Sequence, residues 1–76
     1  MDKTLKNTAI LANLYALRMT LAGALKRAED AENAIQQGEI NQAIGAVHGI
    51  DAMLQDAAAL YAAALALHRQ GGRMQP

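Results

Sequence analysis

The stretch Gln36-Gln37-Gly38-Glu39-Ile40-Asn41 is the clear break between two long helical patterns in this chain of 76 residues. Gly38 suits the left-handed conformation that ends a helix, because glycine has no Cβ to clash there. Glu39 follows where the dipole of a second helix favours a carboxylate. A connection this short forces the helices to lie antiparallel and adjacent, with residues whose numbers sum to about 76 side by side. The stretch predicts an all-α, antiparallel two-helix hairpin.

Both helical patterns carry a seam of apolar residues at alternating steps of four and three, the heptad spacing of helices that pack on helices. The first seam comprises Ile10, Leu14, Leu17, Leu21, Ala24, Ala28, Ala31 and Ile35. The second seam comprises Ile40, Ala43, Val47, Ile50, Leu54, Ala57, Tyr61, Ala64 and His68. We predict helices over 3–36 and 40–69, joined by a turn over 37–39. They form one hairpin domain over 1–70, followed by a flexible C-terminal tail over 71–76.

Composition leaves a hairpin of this size short of internal stabilisation. A chain this short rarely gains more than roughly 3–5 kcal/mol from a single core. It has no Cys for a disulfide and no Phe or Trp for a large core, although 53% of its residues are hydrophobic. Its His, Asp and Glu residues do not have the spacing of a metal site. Self-association is the remaining source of stability, and we predict a homodimer that forms a four-helix bundle.

The apolar surface exceeds what one neighbouring helix can cover. Eleven uncharged residues, Ala57 to Leu67, make that half of the second helix apolar nearly all round. Small residues also recur along the outer side of each helix, where they permit close packing. Surface alanines could serve only to favour the helix, but a glycine there costs roughly 1 kcal/mol and needs another reason. The predicted interface comprises Leu11, Leu14, Tyr15, Met19, Gly23, Gly45, Gly49, Met53, Leu60 and Leu67.

Charge is unevenly distributed although the formal net charge is zero. From Lys3 to Arg27 there are five basic residues and no acid, and from Ala28 to His68 there are six acids and no Lys or Arg. This pattern predicts attraction between the two helices. The candidate anion contacts are Lys6, Arg18, Lys26 and Arg27. A polar line of Lys6, Asn13, Thr20 and Arg27 belongs either to such a contact or to a solvated flank of the seam.

No motif in the sequence indicates catalysis or a bound cofactor. His48 and Asp51 can share a helix face, but no Ser or Cys nucleophile accompanies them. The acidic residues Glu29, Asp30 and Glu32 lack the spacing of a calcium loop. We therefore expect a protein that is not an enzyme and that holds no metal or cofactor.

The segment Ala9 to Leu25 is fairly apolar, but Arg18 interrupts it. It is also slightly short for a membrane span of about 20 residues. We expect no membrane span, and the lack of Cys fits a cytoplasmic protein.

The string Gln37-Gly38-Glu39-Ile40-Asn41-Gln42-Ala43-Ile44 resembles the turn between the two helices of a tetratricopeptide repeat. The resemblance covers about eight residues. Arg27 and Asp30 stand where that repeat has an aromatic residue and a Leu, and such repeats need about three units for stability. We interpret the likeness as a shared turn geometry and not as membership of that repeat family.

Three functions are compatible with these features. The first is a small helical interaction module that self-associates and binds or inhibits a protein partner, as an adaptor, chaperone or phage-type regulator does. The second follows from the hairpin architecture, which resembles the Rop-type RNA-binding dimer and so implies RNA contact through the basic residues of the first helix. Those residues are spread around the helix, and zero net charge makes nucleic acid the less favoured partner. The third is an oligomer that sequesters a small ligand at subunit junctions.

Overall fold

The computed structural model describes residues 2–72 and shows two helical arms packed side by side. Helix α1 spans Lys3–Gln36, α2 spans Ile40–Val47 and α3 spans Ile50–Gly72. Both α2 and α3, which together form the second arm, pack against α1. The molecule is a rod with Cα extents of 61 × 17 × 11 Å. The prediction of an all-α two-helix hairpin is confirmed.

Hydrogen bonds define both ends of α1. Asp2 caps its beginning, because its Oδ1 atom accepts a bond of 3.1 Å from the Thr4 N–H. At the other end, the Glu39 N–H donates to the Ala34 carbonyl at 2.8 Å, and the Gly38 N–H donates to the Ile35 carbonyl at 3.0 Å. These two bonds, with a φ of 78° at Gly38, form the Schellman motif. The turn therefore ends α1 through its own backbone bonds.

The second arm contains a break that the predicted helix over 40–69 did not include. The His48 N–H donates to the Gly45 carbonyl at 3.3 Å, one residue short of the α-helical step. The Met53 N–H then donates to the Gly49 carbonyl at 3.2 Å, which restores that step. Two glycines four residues apart weaken the helix here, since glycine is a poor helix former. His48 keeps right-handed angles (φ −65°, ψ −16°), so the arm tightens locally and continues.

The end of the second arm also differs from the prediction. Helix α3 continues to Gly72, beyond the expected end at residue 69. Glycine ends a helix through a left-handed conformation, and Gly38 is the one glycine of the described chain with a positive φ. Of the predicted flexible tail, residues 73–76 lie outside the described residues.

The arms touch along a line of small and polar residues together with a few large apolar ones. A Cβ atom added to Gly23 would lie 3.1 Å from the Met53 Cε atom, and one added to Gly49 would lie 3.4 Å from the Arg27 Cζ atom. The numbers of both pairs add to 76, so the predicted register is confirmed. We call the residues along this contact the contact line. It comprises Lys6, Asn13, Thr20, Gly23, Arg27 and Ala34 of α1, and Ala43, Gly49, Met53, Ala57, Leu60, Ala64 and Leu67 of the second arm.

Only half of the predicted α1 seam lies at the edge of this contact line. Ile10, Leu17, Ala24 and Ala31 are half-buried, whereas Leu14, Leu21, Ala28 and Ile35 are exposed. The helix is thus rotated by about one heptad position, roughly 50°, from the predicted packing. The polar line from Lys6 to Arg27, interpreted as an anion contact or a solvated flank, instead faces the second arm. Small side chains on that arm leave room for it.

Candidate functional site

Thirteen large apolar side chains are exposed among the described residues, and seven of them lie on one side of the hairpin, with exposed fractions from 37% at Val47 to 63% at Ile40. We call these seven the open face. It comprises Leu14, Leu21 and Ile35 of α1, and Ile40, Val47, Leu54 and Tyr61 of the second arm. None of these seven residues is charged.

The open-face residues of the two arms lie on the same side of the hairpin. On each arm, the open-face positions are displaced around the helix axis from the inward-facing positions. The displacement has the same size and the same sense on both arms when each is viewed along its chain direction. Because the arms run in opposite directions, equal rotations along each chain lead to the same side. The contact between Gly23 and Met53 agrees with this geometry. Each of these residues is displaced from the inward-facing positions in the sense opposite to the open face, and the two meet on the other side of the hairpin.

The open face is organised in rows across the two arms. Leu14 lies level with Tyr61, Leu21 with Leu54, and Ile35 with Ile40, according to the register of the hairpin. Equivalent positions in successive heptads of an arm are about 10 Å apart, because each of the seven helical residues rises about 1.5 Å. A partner that fills the gaps between these rows therefore needs side chains with the same repeat.

The size of this side of the hairpin matches a protein interface. Extents of 61 Å by 17 Å correspond to a projected area of about 1,000 Å². A stable protein–protein interface buries about 800 Å² on each partner. Exposed apolar residues grouped on one side of a small protein mark an association site.

The ten residues predicted for an interface divide between the surface and the contact line. Leu11, Leu14, Tyr15, Met19 and Gly45 are exposed. The other five, Gly23, Gly49, Met53, Leu60 and Leu67, are half-buried along the contact line. The three glycines of this set divide in the same way. A Cβ atom added at Gly45 would meet nothing within 4 Å, whereas one added at Gly23 or Gly49 would meet a side chain of the other arm.

Leu21, Leu54 and Tyr61 are not among the predicted interface residues, because they belong to the seams expected to close inside the hairpin. Their large size, opposite the small residues of the contact line, is the signal that distinguishes them.

A second exposed group lies on the side of α1 that faces away from the second arm. Leu11 is 67% exposed, Tyr15 is 57% exposed and Met19 is 49% exposed. The Arg18 guanidinium lies 5.2 Å from the centroid of the Tyr15 ring, within cation–π distance. We call Leu11, Tyr15, Arg18 and Met19 the outer patch. It combines apolar area with a cation.

The four candidate anion contacts are not brought to one surface. Lys26 Nζ donates to Asp30 Oδ1 at 2.7 Å, and this hydrogen bond, with the carboxylate charge, raises the pKa of Lys26. Arg18 lies against Tyr15, and Lys6 is half-buried at the contact line. Within residues 2–72 the one ion pair is Lys26–Asp30, inside α1, so no ion pair joins the two arms.

Arg27 connects the two arms at the break in the second arm. Its Nη1 atom donates to the Ala46 carbonyl at 3.4 Å. This carbonyl belongs to the last turn of α2, where carbonyl groups lack the usual intrahelical donor. Gly49 leaves the space that the guanidinium occupies. Arg27 therefore acts as a structural contact.

The grooves on the hairpin are shallow and open. The best formed has a volume of about 560 Å³ and is lined near the turn by Asp30, Asn33, Gln37, Glu39 and Gln42, among others. A smaller one contains His48 and Asp51. Among residues 2–72, no group of three or more His, Asp or Glu residues is placed to hold a metal ion.

Both arms are long and apolar enough to cross a membrane. The segments Lys3–Gln36 and Ile40–Gln70 each contain an 18-residue window of mean hydropathy 1.3, of which 0% and 11% is buried. The expectation of no span relied on the shorter segment from Ala9 to Leu25. Buried core helices of soluble proteins and signal sequences meet the same criterion of length and composition.

The comparisons with known proteins yield no relative. No protein-family model matches the chain, and no curated protein or solved structure is similar to it. The open face and the outer patch are therefore the basis for a functional proposal.

Proposed function

We propose that this protein is a non-enzymatic helical interaction module that self-associates through the open face and binds a protein partner through the outer patch. The observation that carries the proposal is the exposure of seven large apolar side chains on one side of the hairpin. Fully burying one such side chain stabilises a protein by about 1.5–3 kcal/mol. The hairpin alone leaves about half of this stabilisation unused, because these side chains are 37–63% exposed.

A second copy of the chain is the occupant that fits the open face. It offers the same rows, about 10 Å apart, and the same uncharged character. Two hairpins joined in this way make a homodimeric four-helix bundle. The half-buried seam residues Ile10 and Leu17, at the edge of the contact line, then also turn toward the bundle centre. The predicted seams become the core between two copies.

An aqueous bundle explains the exposed surface better than a membrane hairpin does. Arg18 lies near the middle of α1, and Asp51 and Asp56 lie in the first half of α3. Each such charge at the centre of a membrane helix costs about 2.5–3.5 kcal/mol on insertion scales. We therefore propose a cytoplasmic bundle in which apolar surface is covered by protein.

The outer patch is the surface proposed for a different protein. It faces away from the contact line and flanks the open face, since Arg18 lies three residues from Leu21 along α1. Tyr, Met and Arg are enriched at the centres of protein interfaces, because they combine large contact area with polar groups. Tyr15, Met19 and Arg18 supply these three side chains. An adaptor, a chaperone or an inhibitor would use such a surface.

The mass of the protein in solution tests the proposal. Light scattering is expected to give twice the chain mass of 8.0 kDa for the wild type. The double variant Leu21→Glu with Leu54→Glu is expected to be a monomer, because four buried carboxylates would meet at the bundle centre. The matched control is Ala52→Glu with Ala59→Glu, on the exposed outer side of α3, which is expected to stay dimeric.

A folded wild-type monomer would refute the proposal. A dimeric Leu21→Glu, Leu54→Glu variant would show that self-association uses another surface. Capture of a partner by the wild type and not by Tyr15→Glu, a variant expected to remain dimeric, tests the outer patch separately.

A further inference from the structure

We infer that the outer patch binds a helix of the partner protein, one with apolar side chains at heptad spacing and a carboxylate placed opposite Arg18. This inference rests on the proposed function of the outer patch and specifies the chemistry of its partner. It follows from the spacing of the exposed residues on the outer side of α1 and from the charge that lies among them.

The outer patch belongs to a third heptad line on α1. Leu11, Tyr15, Arg18, Ala22 and Leu25 follow one another at steps of four, three, four and three. All five are exposed, and Leu25, at 60%, is exposed to a similar degree as the apolar residues of the patch. We call these five residues the outer seam. It shares no residue with the contact line or with the open face.

The outer seam has a length and a spacing that match a second helix. Residues at alternating steps of four and three form a line along one side of a helix, and such a line is what a neighbouring helix contacts. From Leu11 to Leu25 this line measures about 21 Å, or about four helical turns. The next two positions at this spacing are Glu29 and Glu32, so the apolar part ends there. A partner helix of about 15 residues therefore covers the seam.

Arg18 is the one charged residue of the outer seam, and no carboxylate of the described chain pairs with it. The one ion pair among residues 2–72 joins Lys26 to Asp30. On α1 the acid nearest to Arg18 in sequence is Glu29, about 16 Å further along the helix axis, which is about twice the screening length. Asp56 is closer in level, but it belongs to the second arm, from which the outer seam faces away. A partner can therefore supply the carboxylate.

Tyr15 holds the Arg18 guanidinium in place on the outer seam. The guanidinium lies 5.2 Å from the centroid of the Tyr15 ring. A guanidinium presents a planar fork of donors, which binds a carboxylate through two parallel hydrogen bonds. Because the ring already restricts this side chain, less conformational freedom is lost when the carboxylate binds. The outer seam thus offers a prepared anion contact between apolar residues.

A protein helix fits the outer seam better than an anionic membrane surface does. Helices that lie on membranes are rich in Lys and Arg around their apolar side. Here Lys6 and Arg27 lie at the contact line, and Lys26 is paired with Asp30. Arg18 is left as the one cation among the apolar residues of the seam. A single cation matches one carboxylate of a protein.

Selection from a peptide library tests the chemistry of the partner. The library displays helical peptides of about 21 residues, or about six turns, on phage. Five positions at steps of four, three, four and three vary among Leu, Ala, Glu and Lys, and the remaining positions are fixed and polar. Selection on the wild type is expected to enrich peptides with one Glu among apolar residues. Selection on Arg18→Glu is expected to enrich Lys at that position instead.

Lys3→Glu is the matched control, because it changes the charge by the same amount about 22 Å along α1 from Arg18. It is expected to enrich the same peptides as the wild type. An enriched Glu peptide is expected to bind the wild type about tenfold or more tightly than its Lys counterpart, since a hydrogen bond between charged groups is lost in the latter. Light scattering verifies that each variant remains a dimer.

The outcomes separate the chemistry of the partner from the outer patch itself. Enriched peptides that lose binding on Tyr15→Glu and Leu25→Glu, but show no preference for Glu, would overturn the carboxylate and keep the outer patch as the binding surface. Peptides that bind these two variants as well as the wild type would refute the outer patch.

Failure to enrich any peptide would overturn the helix as the occupant. Vesicles of phosphatidylserine and phosphatidylcholine then identify the alternative. Binding to these vesicles that is lost in Leu25→Glu would assign the outer seam to a membrane surface.

Discussion

The contact line and the open face run along the same two arms, yet they differ in the residues that are fully buried and those that stay exposed. The four buried residues of the contact line are all alanines, between 3% and 7% exposed. The open face carries Leu, Ile, Val and Tyr side chains that are at least 37% exposed. Large side chains give the most stabilisation on burial. The open face thus keeps large side chains about half exposed, and a second copy can cover them.

The largest expected effect within one hairpin comes from enlarging a contact-line residue. Ala57 is 6% exposed, so Ala57→Leu forces the arms apart or its side chain off-rotamer. Overpacking of this kind typically costs about 1–3 kcal/mol. We expect chemical denaturation to show that loss in the free energy of unfolding.

The neighbouring Ala58→Leu is the matched control. Ala58 is exposed at the edge of the open face, so the same change adds apolar area without entering the contact line. Equal destabilisation by Ala57→Leu and Ala58→Leu would mean that the contact line and the edge of the open face accept a larger side chain equally well.

Shortening an open-face residue is expected to act on the dimer. Leu54 is 52% exposed in the hairpin, and Leu54→Ala removes apolar area that the second copy would cover. A loss of about 1–2 kcal/mol raises the dissociation constant roughly 5- to 30-fold. Sedimentation at a series of protein concentrations measures this change.

The control for Leu54→Ala is Leu11→Ala in the outer patch, where the side chain is 67% exposed and faces away from the second arm. Its dissociation constant is expected to match that of the wild type. A larger effect at Leu11 than at Leu54 would assign the dimer contact to the outer patch.

The sequence was sufficient to predict the hairpin and its register, because those features depend on local chemistry. Gly38 ends α1 through its own backbone bonds, and a turn centred there fixes which residues lie level. The heptad spacing likewise identified the helices. What the spacing does not specify is which of the adjacent heptad positions faces the other arm.

That choice depends on how closely the arms approach, which is a property of both helices together. Thr20 lies level with the small Ala57, and Gly23 leaves room for the Met53 side chain of the second arm. The break at His48 has a similar origin. Gly45 and Gly49 permit it, but the Ala46 carbonyl obtains its bond from Arg27, nineteen residues away. Sequence spacing alone contains no sign of that contact.

Two glycines outside the contact line are expected to respond in opposite directions. Gly38 has a φ of 78°, so Gly38→Ala places a Cβ in a left-handed conformation and costs about 1 kcal/mol or more. Gly45 lies in α2 with open space around it, so Gly45→Ala should stabilise the helix by about 0.5–1 kcal/mol. Urea denaturation of both variants measures the two signs. Destabilisation by Gly45→Ala would show that this position is covered in the assembled protein.

The smallest expected effect concerns the exposed ion pair of α1. The hydrogen bond and charge of Asp30 raise the pKa of Lys26, so the pair stabilises the folded chain at neutral pH and this contribution is lost as pH rises through the raised pKa. Both side chains are exposed, at 70% and 47%, and solvent screens their attraction. Asp30→Asn is expected to lower the pKa of Lys26 in an NMR titration while leaving the thermal midpoint at pH 7 nearly unchanged. Glu32→Gln, which removes a carboxylate that makes no ion pair in the structure, is the control for net charge. A fall in the midpoint with Asp30→Asn as large as that with Ala57→Leu would contradict the view that packing of the arms, rather than surface charge, holds each hairpin together.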